Sequence, residues 1–464
     1  MPELLPHQLE GVEFLTSRSG ALLAYEQGLG KTAIALTAFQ QLKTAGQIAK
    51  MLVICPNSLK NNWIDEIAKF LGSATCTVVE GTGQGKRRAL HRSSSEIIII
   101  NYEAARSEIT SLRALLAKES FVLILDESHN VKNLKSLNAL VAHNLAPYAR
   151  FKWLLSGTPV TNKPIDIYSQ IEIVAQNNPL GSPELFELKY GIGDHAAQTD
   201  LAEIVRPYLI RKTKADCLKL PSKIFKDVRV DLPGWQREMY DVFRDRFVEE
   251  VRRLNERDFS KFVPTALTRL TRLSQIASNP SLVDPTEKRT PAKMVSIDEL
   301  LESDGMRDEK VIIWSNYVKT IESLVNRYRE KGARAIYGGV KTDERQEIAR
   351  LFQTGNSVRL LVANPAAAGT GFTFTAARYS IFESLSWRYD HFAQSQDRNH
   401  RIGQDRDVVY IRLLARDTIE DTITEALAEK ESMAKGILGD VRIPAYISAM
   451  TQEEFIGLLI NKAF

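Results

Sequence analysis

The sequence predicts an α/β fold of two parallel-sheet lobes with a helical insert between them, and three observations predict it. From Ala21 onward, short apolar runs (ALLA, MLVIC, EIIII, FVLIL, FKWLL) alternate with longer stretches of helical periodicity such as SLKNNWIDEIAKFL. The same alternation returns after Asp308 in KVIIW, ARAIY, VRLLVAN, YSIF and VVYIRLL. Between about Trp235 and Leu301 the buried-strand pattern lapses, and WQREMYDVFRDRFVEEVRRLNE and PTALTRLTRLSQIA read as long amphipathic helices.

Taken in order, residues 1–222 form the expected first lobe, 223–308 the insert and connection, 309–438 the second lobe and 439–464 a tail. The tail should end in a helix over TQEEFIGLLINKAF, with Thr451 and Glu454 as its capping box. With 464 residues, 44% hydrophobic and 25% charged, the chain has ordinary globular composition and room for about two or three domains. A net charge of +4 is small for this length, so a polyanionic partner has to be argued from local clusters. Cys55, Cys76 and Cys217 lie far apart without metal-ligand spacing, which argues against a disulfide framework or a zinc site and for a reducing cell interior. MPELLPHQLE lacks the charge and apolar pattern of a signal peptide, and Ile97 to Ile100 is of strand length, so neither export nor membrane insertion is expected.

The chemistry begins at ALLAYEQGLGKTAIALTAFQ, where a strand runs into a tight loop with Gly28, Leu29 and Gly30, and Lys31 and Thr32 open a helix. Glycines let backbone N–H groups close around phosphates, and a helix N-terminus favours the anion. Lys31 would then reach the β/γ-phosphates of ATP and Thr32 would ligate Mg²⁺. The full pattern GxxxxGK[ST] places glycine where this chain has Tyr25. A metal-holding acid is needed on a neighbouring strand, and FVLILDESHN supplies Asp126 for Mg²⁺ and Glu127 to orient and deprotonate the attacking water. His129, beside these acids, is assigned a coupling role. In QSQDRNHRIGQ, a helix would set Arg398 and Arg401 three residues apart on one face. Two guanidiniums in the second lobe suit the charge that develops on a γ-phosphoryl group held by the first.

With these residues in place the chain resembles the helicase superfamily 2 ATPases, and specifically the Swi/Snf-type DNA translocases, over nearly its whole length. LLPHQLEGVEFL, LVICPNSLKNNW, SGTPVTNK, RPYLIRKTK, IIWSNY, AAGTGFTFTAA, DRNHRIGQ and DTIEDTI follow in family order. The resemblance implies RecA-like lobes, adenine recognition by Gln8, and nucleotide contacts at Gly369 and Gly371. It also implies coupling roles for Ser156, Gly157, Thr158 and Gln394. DESHNVKN, LLSGTP and GFTFTAA look closest to the HARP-like branch, whose members rewind or remodel forked DNA. The chain departs from the family pattern at Tyr25 (usually Asp), Gln27 (Met) and Ala368 (Gly), and at Trp387, Arg388 and Tyr389 (WNP). The resemblance further implies a motor core with little attached, cytoplasmic in a bacterium or virus-infected cell, or nuclear in a eukaryote.

Such a motor grips backbone phosphates, so hydroxyls, amides and lysines at strand ends are the candidate DNA contacts. Ser58, Lys60, Asn101 and Tyr102 occupy those places in the first lobe, and Ser315, Asn316, Thr373, Thr375 and Trp387 in the second. Serine or threonine there also serves as a helix cap. Arg206, Arg211, Lys212, Lys214, Lys219, Lys223 and Lys226 form a basic run whose place between the lobes leans towards DNA. The expected function is an ATP- and Mg²⁺-dependent monomeric motor on double-stranded DNA, with DNA-bound proteins as further targets. A strand-separating DNA or RNA helicase, or an ATP-gated binding module without turnover, would share the same core.

Overall fold

The computed structural model describes residues 2–428 apart from 73, 82, 93, 158, 160–163, 176, 192–194, 255–267, 369–370 and 426, and also residue 456. The described residues fall into two compact units that meet in sequence at Lys219 and Leu220.

The first unit carries a seven-stranded sheet of β1 (Gly20–Tyr25), β2 (Lys50–Cys55), β3 (Cys76–Val78), β4 (Ile97–Asn101), β5 (Phe121–Asp126), β6 (Phe151–Leu155) and β7 (Leu209–Lys212). Their order across the sheet is β3-β4-β2-β5-β6-β1-β7, and every pair is parallel. Parallel sheets are covered on both faces, which explains why these strands read as unbroken apolar runs. The alternation appears only in where each side chain goes. Ile97, Ile99, Val122 and Ile124 enter one core, whereas Ile98, Ile100, Leu123 and Leu125 enter the other. Because β5, β6 and β1 are adjacent and parallel, the loops after Asp126, Leu155 and Tyr25 leave the same edge of the sheet. Ligands of open α/β sheets bind outside such carboxyl ends.

The second unit holds six parallel strands, β8 (Lys223–Val230), β9 (Val311–Trp314), β10 (Ala333–Ile336), β11 (Leu360–Ala363), β12 (Tyr379–Phe382) and β13 (Val408–Ala415), in the order β10-β11-β9-β12-β13-β8. β8 corrects the expectation that residues 223–308 are an insert outside the lobes. All eight of its residues pair with β13, from Lys223 opposite Val408 to Val230 opposite Ala415. Arg412 donates to both carboxylate oxygens of Asp227 at 2.6 and 2.8 Å, and Phe225 stacks on Tyr410 with centroids 5.1 Å apart. These cross-strand pairs pin the register. The charges along KIFKDVRV suit an edge strand and mask it as a loop in the sequence. The amphipathic helix of the supposed insert, Gly234–Arg252, buries Tyr240, Phe247, Val248 and Val251 in the same core as β9 and β12. The expected tail helix lies outside the described residues except for Ile456, which packs against this core.

Candidate nucleotide and nucleic-acid sites

The loop between β1 and the helix Lys31–Thr44 turns through two left-handed glycines, Gly28 at φ +89° and Gly30 at φ +80°. Only glycine adopts this at no steric cost, and a Cβ on Gly30 would also lie 2.2 Å from Gln8 Nε2. Gln8 donates through that nitrogen to the Leu29 carbonyl at 3.3 Å, while its Oε1 accepts from Leu5 N–H at 2.9 Å. The helix Pro6–Thr16 is thereby seated on the loop. Tyr25, standing where the phosphate-loop pattern has glycine, adds a second tie: its hydroxyl donates to the His7 carbonyl at 2.8 Å. Burial raises the pKa of this phenol well above its usual value, so it stays a donor.

Lys31 donates to the Tyr25 carbonyl at 2.8 Å, and a Cβ added to Gly157, in the loop after β6, would lie 3.6 Å from its ammonium. Arg211, on β7, donates from Nη1 to the Ala24 carbonyl at 2.9 Å and the Gly157 carbonyl at 3.1 Å. It braces the end of β1 against the loop after β6. Ser156 at the start of that loop is fully buried, its N–H donating to the Leu23 carbonyl at 3.2 Å, and Thr158 lies outside the described residues.

The carboxylate of Asp126 accepts from Trp63 Nε1 at 2.8 Å through Oδ2 and from the Glu127 N–H at 2.9 Å through Oδ1. Burial and the adjacent Glu127 carboxylate push Asp126 up to about 6, while the Trp63 hydrogen bond and the charge of Lys31 pull the other way. Glu127 takes φ +49°, ψ +55°, rare for a non-glycine residue and a mark of strain held by its surroundings. Its Oε2 lies 3.3 Å from His129 Nδ1, which brings the expected coupling histidine to the expected water-orienting acid.

In the second unit the helix expected to carry both arginines, Tyr389–Gln396, ends before them. Arg398 and Arg401 lie in the turns that follow, yet both donate through Nη1 to the same carbonyl, that of Phe372, at 3.0 and 3.3 Å. Arg398 is buried and also donates from Nε to the carbonyl of Gln394, itself buried, at 3.0 Å. Arg401 is half-buried. Gly371 precedes Phe372 at φ +84°, and Gly369 lies outside the described residues. Thr32 is half-buried on the first turn of its helix.

The expected DNA contacts divide. Ser58 and Thr373 are exposed, and Asn101, Asn316 and Trp387 are half-buried at strand or loop ends. Asn101 also caps the helix Tyr102–Ser107, accepting from Ala104 N–H at 3.0 Å. Thr375 accepts from Gln353 Nε2 at 2.8 Å. Three side chains are instead internal, which corrects their expected role. Lys60 is buried, with Nζ 3.3 Å from Glu80 Oε1; Tyr102 donates to the Asp126 carbonyl at 2.8 Å; and Ser315, fully buried, donates to Glu383 Oε2 at 2.8 Å. Polarity at a strand end fits both a ligand contact and a buried network, and sequence alone does not separate them. The basic run is likewise partly consumed: Arg211 is the brace just described, Lys212 pairs with Glu10 at 2.6 Å, Lys214 is buried and Lys223 lies 3.7 Å from Asp397. Lys219 and Lys226 remain exposed. Sequence reasoning also missed the polar network under Ser315, where fully buried Lys293 donates to Glu420 Oε1 at 2.5 Å and to the Glu383 carbonyl at 2.8 Å.

The model of the SNF2-related domain matches residues 7–282, and that of the helicase conserved C-terminal domain matches residues 292–403. The chain belongs to the SNF2-related family. Its relatives within and around that family include an uncharacterized ATP-dependent helicase of Mycoplasma pneumoniae, 27% identical over 97% of this chain and 44% of that protein. The human DNA annealing helicase and endonuclease ZRANB3 is 26% identical over 94% of this chain and 40% of that protein. The chain thus spans less than half the length of these curated relatives. The solved SWI2/SNF2 ATPase core of Sulfolobus solfataricus in complex with dsDNA aligns over 100% of this chain and 98% of that one, at 26% identity and a TM-score of 0.45. The two family models meet between residues 282 and 292, whereas the compact units meet at Lys219 and Leu220, so the SNF2-related region extends into the second sheet through β8.

Proposed function

We propose that this chain is an ATP- and Mg²⁺-dependent motor that translocates on double-stranded DNA and remodels DNA or protein–DNA complexes, forked DNA among them. The observation that carries the reading is the meeting of the Gly28–Thr32 loop, the Ser156–Gly157 loop and the Asp126–Glu127 pair at the carboxyl ends of three adjacent strands. The relatives named as ATP-dependent and annealing helicases support it.

Backbone N–H groups of the glycine loop would hold the phosphates, Lys31 their β/γ charge, and Gln8 the base. Mg²⁺ takes oxygen ligands and is held by one or two carboxylates together with substrate phosphates, which fits the Asp126 carboxylate and the Thr32 hydroxyl. When bound it would neutralise phosphate charge. Glu127 would orient the attacking water, and Arg398 and Arg401 would stabilise the charge developing on the phosphoryl oxygens. Grip on DNA through Ser58, Asn101, Asn316, Thr373 and Trp387 would rest on backbone phosphates and be indifferent to sequence. The motor would act as a monomer in the compartment that holds the DNA.

Phosphate release measured with duplex, single-stranded and forked DNA and with RNA tests the reading, beside triplex displacement and unwinding assays. Duplex DNA should stimulate most and a third strand should be displaced without separation of the duplex. Stimulation by RNA equal to that by duplex, or robust unwinding of a blunt duplex, would replace the reading with a strand-separating helicase. ATP binding without turnover under every condition would leave an ATP-gated binding module.

A further inference from the structure

The helix Ile165–Val174 follows the Ser156–Gly157 loop in sequence and presents a fully buried glutamine, Gln170, to two loops of the candidate site. Its amide is used from both ends. Nε2 donates to the Pro159 carbonyl at 2.6 Å and to the Asp166 carbonyl at 2.8 Å, and Oε1 accepts from Ser128 Oγ at 2.7 Å. Ser128 is itself fully buried and follows Glu127, the residue held at φ +49°. The same helix grips the far end of that turn: Ser169 Oγ donates to the Val131 carbonyl at 2.6 Å, and Asp166 lies 3.5 Å from Lys132 Nζ. A leucine or methionine would fill the volume of Gln170 at least as well, so packing does not call for an amide there. A buried amide that makes three hydrogen bonds is costly if any partner shifts, which is what makes such a network a stiff link between segments.

We infer that Gln170 is a positioning residue for Glu127: it fixes the strained turn that aims the carboxylate, and it ties that turn to the carbonyl of Pro159. The inference rests on the ATPase reading above. A shift of the Pro159 carbonyl is carried by the amide to Ser128 and so to the peptide that orients Glu127. Glutamine therefore serves turnover and not ATP affinity, because the phosphates are held elsewhere, by the Gly28–Thr32 loop.

The test is a double-mutant cycle on the full chain with Gln170→Met, Ser128→Ala and both together, assayed by DNA-stimulated phosphate release well below each variant's melting temperature. Each single variant should lose about ten- to a hundredfold in kcat, as expected for a misaimed catalytic group. KM for ATP should stay within about twofold, since uniform binding is untouched. The double variant should be no slower than the slower single, because both break one link. Unchanged kcat in Gln170→Met, multiplicative losses in the double variant, or a loss confined to KM would overturn the inference. Glu127→Gln separates it from its foundation. If Glu127→Gln abolishes turnover while Gln170→Met is normal, the link alone fails; if the wild-type chain releases no phosphate with any polymer, the ATPase reading fails and takes the link with it.

Discussion

Replacing Arg211 with methionine distinguishes two uses of a basic residue that sequence alone could not. Methionine keeps much of the packing and removes both donors. The guanidinium makes two bonds to carbonyls, at 2.9 and 3.1 Å, and its side chain is 15% exposed, so solvent screens it little. Hydrogen bonds from a charged donor contribute about 1.5–3 kcal/mol each. Two that share one nitrogen, with part of the packing retained, should together be worth about 2–4 kcal/mol. The 3.7 Å approach to Glu26 adds little. For a unit of this size about 1 kcal/mol moves the melting temperature by about 2–4 °C, so the first unit's transition should fall by on the order of 10 °C in calorimetry. The salt dependence of duplex binding should keep its slope, whereas loss of a phosphate contact would make it shallower by about one. Lys219→Ala and Lys226→Ala, at exposed positions of the same run, are the comparison. A melting temperature within about 2 °C of the parent, with a slope shallower by about one, would refute the brace and restore Arg211 to the DNA surface.

Lys31→Ala should abolish hydrolysis and weaken ATP binding, whereas Glu127→Gln should bind ATP and leave it intact; normal phosphate release in either would remove the drawn site. Arg401→Ala should cut DNA-stimulated turnover by orders of magnitude with little change in melting, while Arg398→Ala, which also removes the donors to the buried Gln394 carbonyl and the part-buried Phe372 carbonyl, should lose both activity and several degrees of stability in a thermal melt. Lys293→Met should destabilise the second unit by about 3–5 kcal/mol in denaturant titration, since it strands a buried carboxylate. Burial already raises Glu420, so its contribution favours the fold at low pH and is lost as pH rises through its folded value; the variant's deficit should therefore shrink from pH 8 to pH 5, and Glu420→Gln added to it should recover much of the loss. Ser315→Ala should cost about 1.5–3 kcal/mol through Glu383 and leave the salt slope of DNA binding unaltered.

Much of the candidate nucleotide site was legible because its residues are local: GLGKT and DESH each follow an apolar strand, and the parallel order of β1, β6 and β5 brings them to one edge. The long-range partners were not. Trp63 on Asp126, Arg211 on Gly157 and Gln170 on Ser128 are joined across 63, 54 and 42 positions, with no periodicity to announce them. Tyr25 read as a departure from the phosphate-loop pattern, and the structure gives it a partner, the His7 carbonyl, that lies outside that motif. β8 escaped because an edge strand carries charge where a central one carries isoleucine. Lys60, Tyr102 and Ser315 show the opposite pattern, polar residues assigned to a ligand whose partners in the structure are Glu80, the Asp126 carbonyl and Glu383.

β8 also fixes when the second unit can finish folding. Asp227 finds Arg412 only 185 positions later, so the strand must be held unpaired until nearly the whole unit exists. At about 5–20 residues per second of synthesis, that wait is roughly 10–40 s. The charges of KIFKDVRV that hid the strand in the sequence are then a safeguard, keeping a lone β-former soluble while its partner is made. Cutting the chain at 309 would remove β8 from the outset and leave β13 as a bare, largely apolar edge, Val408 to Ala415, open to pairing with another copy. A second lobe expressed from Leu220 keeps that edge covered.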